Sequence, residues 1–340
     1  MVLAVRVPFR DAEAVLAFLR ASSLIHQDYS IKKDQTHLII PVRKRAKVPS
    51  GTASLIQASC APRQQKQFIN AGMQKLLTPA EYRLLPRAFD AVGDILILEL
   101  PRELEKKEKR IAAAYLSAFP GIRTVAKKSA VHAGRYRTRR LTILAGRRKK
   151  EAICRESGLR LKVHLEKMYF SPRLAAERLR IARQVKGGED VLVMFSGCAP
   201  YCCVIARHSA AKRVTGIELN PDAHRYALEN VKLNKLEGRI TLHAGDVRTV
   251  LPKLKRKFDR IIMPLPKTGE EFLPLALQHI KKDGTIHYYT FMGEAAVQQE
   301  KGKIRAICRQ QRKHCKILRV VKAGQHAPYV RRMCVDMNVI

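Results

Sequence analysis

Short apolar runs alternate with segments of helical spacing through the C-terminal half of the chain. Each run has the length and composition of a strand, and a helix-like segment separates most neighbouring runs, which is the order of a doubly wound α/β sheet. Strands are predicted at 191–195, 213–218, 239–243, 258–263 and 284–290, with two more near 316–321 and 331–338. We therefore predict a Rossmann-like sheet in this half of the protein.

Two smaller α+β units precede that sheet. The runs VLAVRVP and HLIIPV predict strands on either side of a helix in DAEAVLAFLRASSLI, for which Asp11 is a suitable N-cap. The segment KRAKVPSGTAS is typical of a linker or exposed loop. Beyond it, VGDILILELP predicts a strand and PRELEKKEKRIAAAYLSAF an amphipathic helix that Pro101 can start.

These patterns divide the chain into four segments. We predict a small N-terminal α+β domain at 1–48, a linker with a helix at 49–80, a basic α+β domain at 81–168 and the Rossmann-like domain at 169–340. In the basic domain, IRTVAKKSAVHAGRYRTRRLTILAGRRKK alternates basic and apolar residues, as a sheet with one wet, positive face does. Such a face suits the phosphates of RNA, and an ordinary solvated strand face is the open alternative.

The charge of the chain indicates a densely negative partner. Its 66 Lys and Arg residues against 29 Asp and Glu residues give a formal net charge of +37. Nucleic acid fits this charge better than a membrane, because no segment is long, apolar and uncharged enough to span a bilayer; a general basic bias of the proteome is the other explanation. The N-terminus lacks the apolar core of a signal peptide. We expect a cytoplasmic, monomeric RNA-binding protein.

The eight cysteines are scattered along the chain without a secretory context, so free thiols are expected. Cys198, Cys202 and Cys203 lie close together, but no second pair of cysteines or histidines follows at the spacing of a zinc finger. We interpret the three as small apolar residues that pack a helix against the sheet, and we expect no metal.

The stretch from Asp190 to Asp246 predicts a pocket for a nucleoside-bearing ligand. Gly197 allows a sharp turn after the first strand, and the helix that follows can point its N-terminus at the ligand. Glu218 ends the second strand, where a carboxylate can accept hydrogen bonds from ribose hydroxyls, and Asp246 follows the third. Alternatively, Glu218 and Asp246 are each an ordinary loop carboxylate or a helix cap.

Two flanking segments bear on that pocket. In YFSPRLAAERLRIARQV, Pro172 can occupy the first turn of a helix with Ser171 as its cap. After the fourth strand, Pro264-Leu265-Pro266 leaves the sheet where an acceptor base would approach the cofactor, and the prolines fix φ in that loop. A simple strand-ending turn is the alternative.

The order YFSPRLAAERLRIA, VLVMFSGCAP, IELNPDAHRYALENVKLNK, GDVR, FDRIIMPLP, GTIHYY and YVRRMCVDM resembles the archaeal and eukaryotic type of tRNA guanine N1 methyltransferase. The similarity covers nearly the whole chain. It implies a Rossmann-like methyltransferase domain that uses S-adenosylmethionine to methylate N1 of the guanosine 3′ of the anticodon (position 37). The implied partner is tRNA, contacted at its anticodon stem-loop and its body.

The resemblance also implies roles for individual residues. The family's general base, a glutamate that removes the N1 proton, matches Glu177, and its arginine that donates to guanine O6 matches Arg137. Salt bridges on the helix face for Glu177, and a phosphate contact for Arg137, are the structural alternatives. The implied cofactor-binding residues are Tyr169, Phe195, Gly197, Glu218, Leu219, Asn220, Asp246, Val247 and Pro264.

Two positions depart from the family pattern. Val193 stands where an acidic residue is usual before Met-Phe, and Pro264 replaces the asparagine of an Asn-Leu-Pro motif, which removes a hydrogen-bond donor. Two other functions stay open for that reason. One is transfer of the aminocarboxypropyl group of the same cofactor to a tricyclic guanine in wybutosine synthesis, and the other is RNA binding by a catalytically weakened homologue.

Overall fold

The structure, a computed structural model of the 340-residue chain, describes residues 1–22, 24–26, 28–45, 48, 51–60, 73–86, 89–129, 136, 138, 140–327 and 330–340. The chain forms two compact units. The first is Met1–Leu85 with Pro101–Pro120, and the second is Pro86–Leu100 with Gly121–Ile340. Within the described ranges, no helix combines the length and the apolar character that crossing a membrane requires.

The first unit contains a four-stranded antiparallel sheet and several α-helices among its described residues. Strands β1 (Val2–Pro8), β2 (Lys32–Lys33), β3 (His37–Pro41) and β4 (Ser54–Ala58) are arranged in the order β2-β3-β1-β4. Val15 and Leu19 of helix α1 (Ala12–Ala21) pack with Val5 and Ile40 of the sheet. The unit also includes α2 (Pro79–Leu84), a 3-10 helix (Arg102–Lys107) and α3 (Glu108–Ala118).

The second unit begins with two small sheets. Strands β5 (Asp90–Val92), β6 (Ile95–Leu98), β7 (Thr124–Lys128) and β8 (Leu141–Gly146) are arranged in that order, and β9 (Glu151–Glu156) pairs with β10 (Leu159–His164). Gly93 turns the chain between β5 and β6 with a φ of 57°. A Cβ on Gly93 would lie 2.5 Å from the carbonyl oxygen of Ile153, so only glycine fits this turn.

The rest of the second unit is a seven-stranded sheet. Its strands are β11 (Asp190–Met194), β12 (Arg213–Glu218), β13 (Ile240–Ala244), β14 (Phe258–Met263), β15 (Ile280–Met292), β16 (Cys315–Ala327) and β17 (Val330–Val339), in the order β13-β12-β11-β14-β15-β17-β16. The first five in that order are parallel, and β17 is antiparallel to both of its neighbours. The predicted Rossmann-like fold is therefore confirmed, and each of the seven predicted strands is present.

Helices cover both faces of this sheet and form two apolar cores. They are α4 (Ala175–Ala182), α5 (Pro200–His208), α6 (Pro221–Leu233), α7 (Val247–Lys253), α8 (Leu273–His279) and α9 (Val297–Gln310). Adjacent strand residues separate between the two cores, Val193 into one and Leu192 into the other, because successive side chains point to opposite faces. Cys198, Cys202 and Cys203 are fully buried in the first core, so the interpretation of these cysteines as packing residues is confirmed.

Three local predictions were confirmed only in part. The run VGDILILELP is a tight turn followed by the short strand β6, because Gly93 reverses the chain. The segment that Pro101 was expected to start begins with the 3-10 helix, and α3 follows only at Glu108. Pro172 does occupy a first turn, but the side chain of Ser171 makes no capping hydrogen bond, because that turn is a 3-10 helix (Pro172–Leu174) and α4 begins at Ala175.

Candidate active site

A cavity of about 320 Å³ opens at the carboxyl ends of β11, β12, β13 and β14. This is where the strand order reverses, the usual place for a ligand in an open α/β sheet. The structure brings all the predicted cofactor-binding residues to the wall of this cavity: Tyr169, Phe195, Gly197, Glu218, Leu219, Asn220, Asp246, Val247 and Pro264.

The loop between β11 and α5 has an unusual backbone. Phe195, Gly197 and Ala199 all have positive φ angles, of 60°, 58° and 62°. Residues with a Cβ are disfavoured in this left-handed region by roughly 1–2 kcal/mol. Backbone strain of this kind concentrates at functional sites. Here the strained loop carries three consecutive cavity residues, Phe195 to Gly197, between the strand and the helix.

Glu218 lies at the end of β12 and holds two backbone segments together. Its Oε2 accepts a hydrogen bond of 2.6 Å from the N–H of Gly197, and its Oε1 accepts one of 2.8 Å from the N–H of Asn220. Burial raises the pKa of the Glu218 carboxyl, and these backbone N–H groups partly offset the rise. Each oxygen keeps a lone pair that can accept a ribose hydroxyl.

Asn220 connects the second strand to the segment that carries Tyr169. Its Oδ1 accepts from the backbone N–H groups of Asp222 and Ala223, which caps helix α6. Its Nδ2 donates to the carbonyl oxygen of Lys167 at 2.7 Å. One amide side chain therefore ties the start of α6 to the chain two residues before Tyr169.

Asp246 serves as a helix cap in this structure. Its Oδ1 accepts from the backbone N–H of Arg248 at the start of α7, and both of its oxygens accept from the Arg248 guanidinium. That guanidinium lies 5.5 Å from the ring centre of Phe272, which contacts Phe195 edge to face at 4.8 Å. The wall around Asp246 is thus part aromatic and part charged.

Arg332 of β17 is a cavity residue that the sequence analysis missed. Its Nη2 donates to the hydroxyl of Tyr169 at 2.7 Å, and its guanidinium lies 5.6 Å from the Tyr169 ring and 5.5 Å from the Phe291 ring. The motif YVRRMCVDM contains two adjacent arginines, and its spacing does not tell which of them faces the cavity.

The two departures from the family pattern occupy different environments. Pro264 lines the cavity together with Leu265 and Pro266, and it offers no side-chain or backbone donor there. Val193 is fully buried in the first core, in register between Gly216 of β12 and Ile262 of β14. An apolar side chain suits that position.

Glu177 lies behind the cavity wall. It is 6% exposed, and its two oxygens accept hydrogen bonds of 2.6 and 2.8 Å from Arg180 and one of 2.5 Å from the hydroxyl of Tyr289. Its neighbour Arg178 does line the cavity and forms a buried ion pair with Glu156. Arg137 lies outside the described residues, whereas the adjacent Tyr136 lines the cavity.

A buried polar network extends from Glu177 into the sheet. Asp336 is fully buried and accepts from Arg180 at 2.6 Å and from His287 Nδ1 at 2.6 Å. The Nη1 of Arg260 lies 2.7 Å from His287 Nε2, so the ring is neutral with its proton on Nδ1. His287, Cys334 and Asp336 lie close enough to hold a metal ion. Arg180 and Arg319 already neutralise Asp336, and we interpret the group as a hydrogen-bond network.

Comparison with known families matches three parts of the chain. Residues 152–318 match the TRM5/TYW2 methyltransferase domain. Residues 4–49 match the tRNA methyltransferase 5 N-terminal domain, and residues 69–149 match the TYW2 N-terminal domain. The first match contains the cavity strands β11 to β14 and Glu177.

Individual relatives align over most of their length. The chain is 38% identical over 293 residues to the tRNA (guanine(37)-N(1))-methyltransferase Trm5b of Pyrococcus abyssi, which covers 86% of this chain and 84% of that protein. It is 31% identical over 275 residues to the tRNA(Phe) (4-demethylwyosine(37)-C(7)) aminocarboxypropyltransferase of Pyrococcus horikoshii, covering 81% and 97%.

Solved structures agree with these alignments. The crystal structure of P. abyssi Trm5b superposes with a TM-score of 0.73 at 34% identity, covering 100% of this chain and 99% of that one. The structure of P. horikoshii TYW2 in complex with MeSAdo superposes with a TM-score of 0.69 at 29% identity, covering 81% and 99%.

Proposed function

The chain belongs to the TRM5/TYW2 methyltransferase family, and we propose that it methylates N1 of guanosine 37, the nucleoside 3′ of the anticodon in tRNA, with S-adenosylmethionine as the methyl donor. The observation that supports this most is the cavity at the switch point. It gathers residues that follow four different strands, among them the half-buried Glu218 carboxylate at the end of β12.

The cavity residues fit S-adenosylmethionine. We propose that Glu218 accepts hydrogen bonds from the ribose hydroxyls, that Asp246 and Val247 border the adenine, and that Phe195, Leu219 and Pro264 supply apolar contact. Tyr169, Gly197 and Asn220 complete this set. When bound, the sulfonium group of this cofactor makes its methyl carbon an electrophile. The protein positions the target guanine and removes the proton from its N1.

We propose Glu177 as the base that receives the N1 proton and Arg137 as the donor to the guanine O6, where negative charge develops. A guanidinium suits the second role because it stays protonated at any physiological pH. The environment of Glu177 supports the first role, since Arg180 and Tyr289 fix both carboxylate oxygens in one orientation.

The tRNA substrate matches the charge of the chain. With a formal net charge of +37, binding to phosphates is expected to weaken steeply as salt concentration rises. We propose that the segments 1–48 and 81–168 contact tRNA, while 169–340 holds cofactor and a guanosine flipped out of the anticodon loop. The segment 49–80 is not a simple linker, because Ser54–Ala58 forms a strand of the N-terminal sheet. We also propose that the protein works as a cytoplasmic monomer.

One experiment tests this function. The protein is incubated with labelled S-adenosylmethionine and an unmodified tRNA transcript that carries G37, and a transcript with A37 serves as the control. We expect one methyl group on N1 of G37 and none on the control, located by mass spectrometry of the nucleosides. Methylation elsewhere, or a failure to bind S-adenosylmethionine in calorimetry, would contradict the proposal; the second result would indicate RNA binding without catalysis.

A second candidate function is aminocarboxypropyl transfer to a tricyclic guanine in the same position. It is favoured by the similarity to the P. horikoshii enzyme and by Pro264, which itself offers the cavity no hydrogen-bond donor directly after β14. The mass of the group added to a tRNA that carries the tricyclic base separates the two reactions.

A further inference from the structure

Glu177 and the cavity are connected by two tyrosines. Tyr201, in the first turn of α5, lines the cavity, and its hydroxyl donates to the hydroxyl of Tyr289 at 3.0 Å. The Tyr289 hydroxyl donates in turn to Glu177 Oε1 at 2.5 Å. Both donors point in the same direction, from the cavity towards the carboxylate.

The two phenols are suited to relay a proton. Both are almost fully buried, and burial raises the pKa of Tyr201 and of Tyr289 well above the ordinary value, so each keeps its proton. A neutral hydroxyl has one donor and two acceptor positions. Tyr201 therefore donates to Tyr289 and still has an acceptor position for an N–H group.

The far end of this chain is held in place by charge. Arg180 binds both oxygens of Glu177 and also binds Asp336, so one guanidinium serves two carboxylates. When Glu177 becomes protonated, Arg180 stays paired with Asp336, and the second arginine on Asp336, Arg319, is half exposed to solvent. Neutralising Glu177 thus does not leave an unpaired buried charge, which would be strongly unfavourable.

We propose, on the basis of the function proposed above, that the guanine N1 proton reaches Glu177 through Tyr201 and Tyr289. The bond between the donor sulfur and the methyl carbon breaks while the bond between N1 and that carbon forms. The N1 proton passes to Tyr201 Oη, the Tyr201 proton to Tyr289 Oη, and the Tyr289 proton to Glu177 Oε1. Both tyrosines end as neutral phenols, Glu177 ends protonated, and the sulfur loses its positive charge.

Three single variants test the relay. Tyr289→Phe and Tyr201→Phe each remove one hydroxyl and keep the ring. Tyr288→Phe is the matched control, because Tyr288 is equally buried on the other face of the sheet and donates to Glu300 instead. The rate constant of a single turnover on unmodified tRNA is measured in H₂O and D₂O, and the affinities for S-adenosylmethionine and tRNA are measured separately.

We expect Tyr289→Phe and Tyr201→Phe each to lower the single-turnover rate by roughly 10²-fold, the usual contribution of a proton-transferring group, with both affinities unchanged. The double variant should be no slower than either single one, because either change breaks the same chain. The solvent isotope effect should decrease in both variants, and Tyr288→Phe should behave like the unaltered protein.

Other outcomes overturn the relay. Unaltered rates in Tyr289→Phe or Tyr201→Phe would show that the proton takes another path, and an equal decrease in Tyr288→Phe would show a general structural effect. If one of the two tyrosine variants does not fold, the rate of the other tests the relay. Glu177→Gln distinguishes failure of the relay from failure of the proposed function. If that variant is inactive and the tyrosine variants are fully active, only the relay fails. If Glu177→Gln is fully active, the assigned base is wrong.

Discussion

Glu218 Oε2 accepts a 2.6 Å hydrogen bond from the backbone N–H of Gly197, which ties the end of β12 to the strained loop after β11. The other oxygen of the same carboxylate binds the N–H of Asn220. The residue expected to bind the ribose thus also shapes a loop that lines the cavity.

Replacing Glu218 with Gln should weaken S-adenosylmethionine binding. The amide has one acceptor oxygen, so one of the two backbone N–H groups loses its partner, and a lost hydrogen bond to a charged group is worth about 1.5–3 kcal/mol. We expect roughly a 10- to 100-fold higher Kd in calorimetry. Glu237→Gln, at an exposed acid on the loop after α6, is the control and should leave the Kd unchanged. An unchanged Kd in Glu218→Gln would contradict the cofactor role.

Replacing Asn220 separates its two contacts. Asn220→Ala removes the cap of α6 and the bond to Lys167, and loss of an N-cap alone costs about 1 kcal/mol. Asn220→Ser keeps a capping oxygen but has no amide to reach the Lys167 carbonyl. We expect Asn220→Ala to be the less stable in urea denaturation, and both variants to bind the cofactor more weakly because the Tyr169 segment is released. Equal stability of the two would argue against the cap.

Gly216 should not tolerate a methyl group. A Cβ there would lie 2.7 Å from Leu242 Cδ2 and 3.0 Å from both Cys202 Sγ and Ser196 Oγ. Overpacking of this kind typically costs 1–3 kcal/mol. Gly216→Ala should therefore lower the urea midpoint, while Gly187→Ala, whose Cβ would meet only Ala210 at 3.8 Å, should leave it nearly unchanged. A stable Gly216→Ala protein would show that this part of the core can relax.

Stability should fall as the pH decreases below neutrality, in part because of His287. Burial lowers the pKa of His287 below its ordinary 6.5, so at mildly acidic pH the unfolded chain binds a proton that the folded protein does not. The free energy of unfolding must then decrease as pH falls below about 6.5. His287→Asn keeps a donor towards Asp336 but cannot titrate. The free energy of unfolding of this variant should change less between pH 7 and pH 5 than that of the unaltered protein. An identical change in both proteins would show that His287 does not cause the pH dependence.

Asp336 extends this dependence to lower pH. Burial opposes ionisation, but hydrogen bonds from His287 and Arg180 outweigh it and hold the pKa of Asp336 well below its ordinary 3.8. Its stabilising contribution is complete above that value and is lost as the pH falls through the acidic range. In the His287→Asn protein, the free energy of unfolding should therefore still decrease as the pH falls below 4.

The sequence by itself determined the fold of the catalytic half and the position of the cavity. Buried parallel strands have continuous apolar runs, and the residues directly after such runs must meet at one edge of the sheet, which is why Glu218, Asp246 and Pro264 could be named in advance. The helices between most of the strands indicated that the sheet is doubly wound.

Only the tertiary structure decided which side chains meet across the sheet. Arg332 reaches Tyr169 because β17 is inserted antiparallel beside β15, and no local pattern encodes that insertion. Glu177 is joined to the cavity by Tyr201 of a helix and Tyr289 of a strand, residues far apart in sequence, and Asp336 holds Arg180 from the last strand. Periodicity reports the face on which a residue lies, whereas hydrogen-bond partners depend on distances between elements that only the packed chain defines.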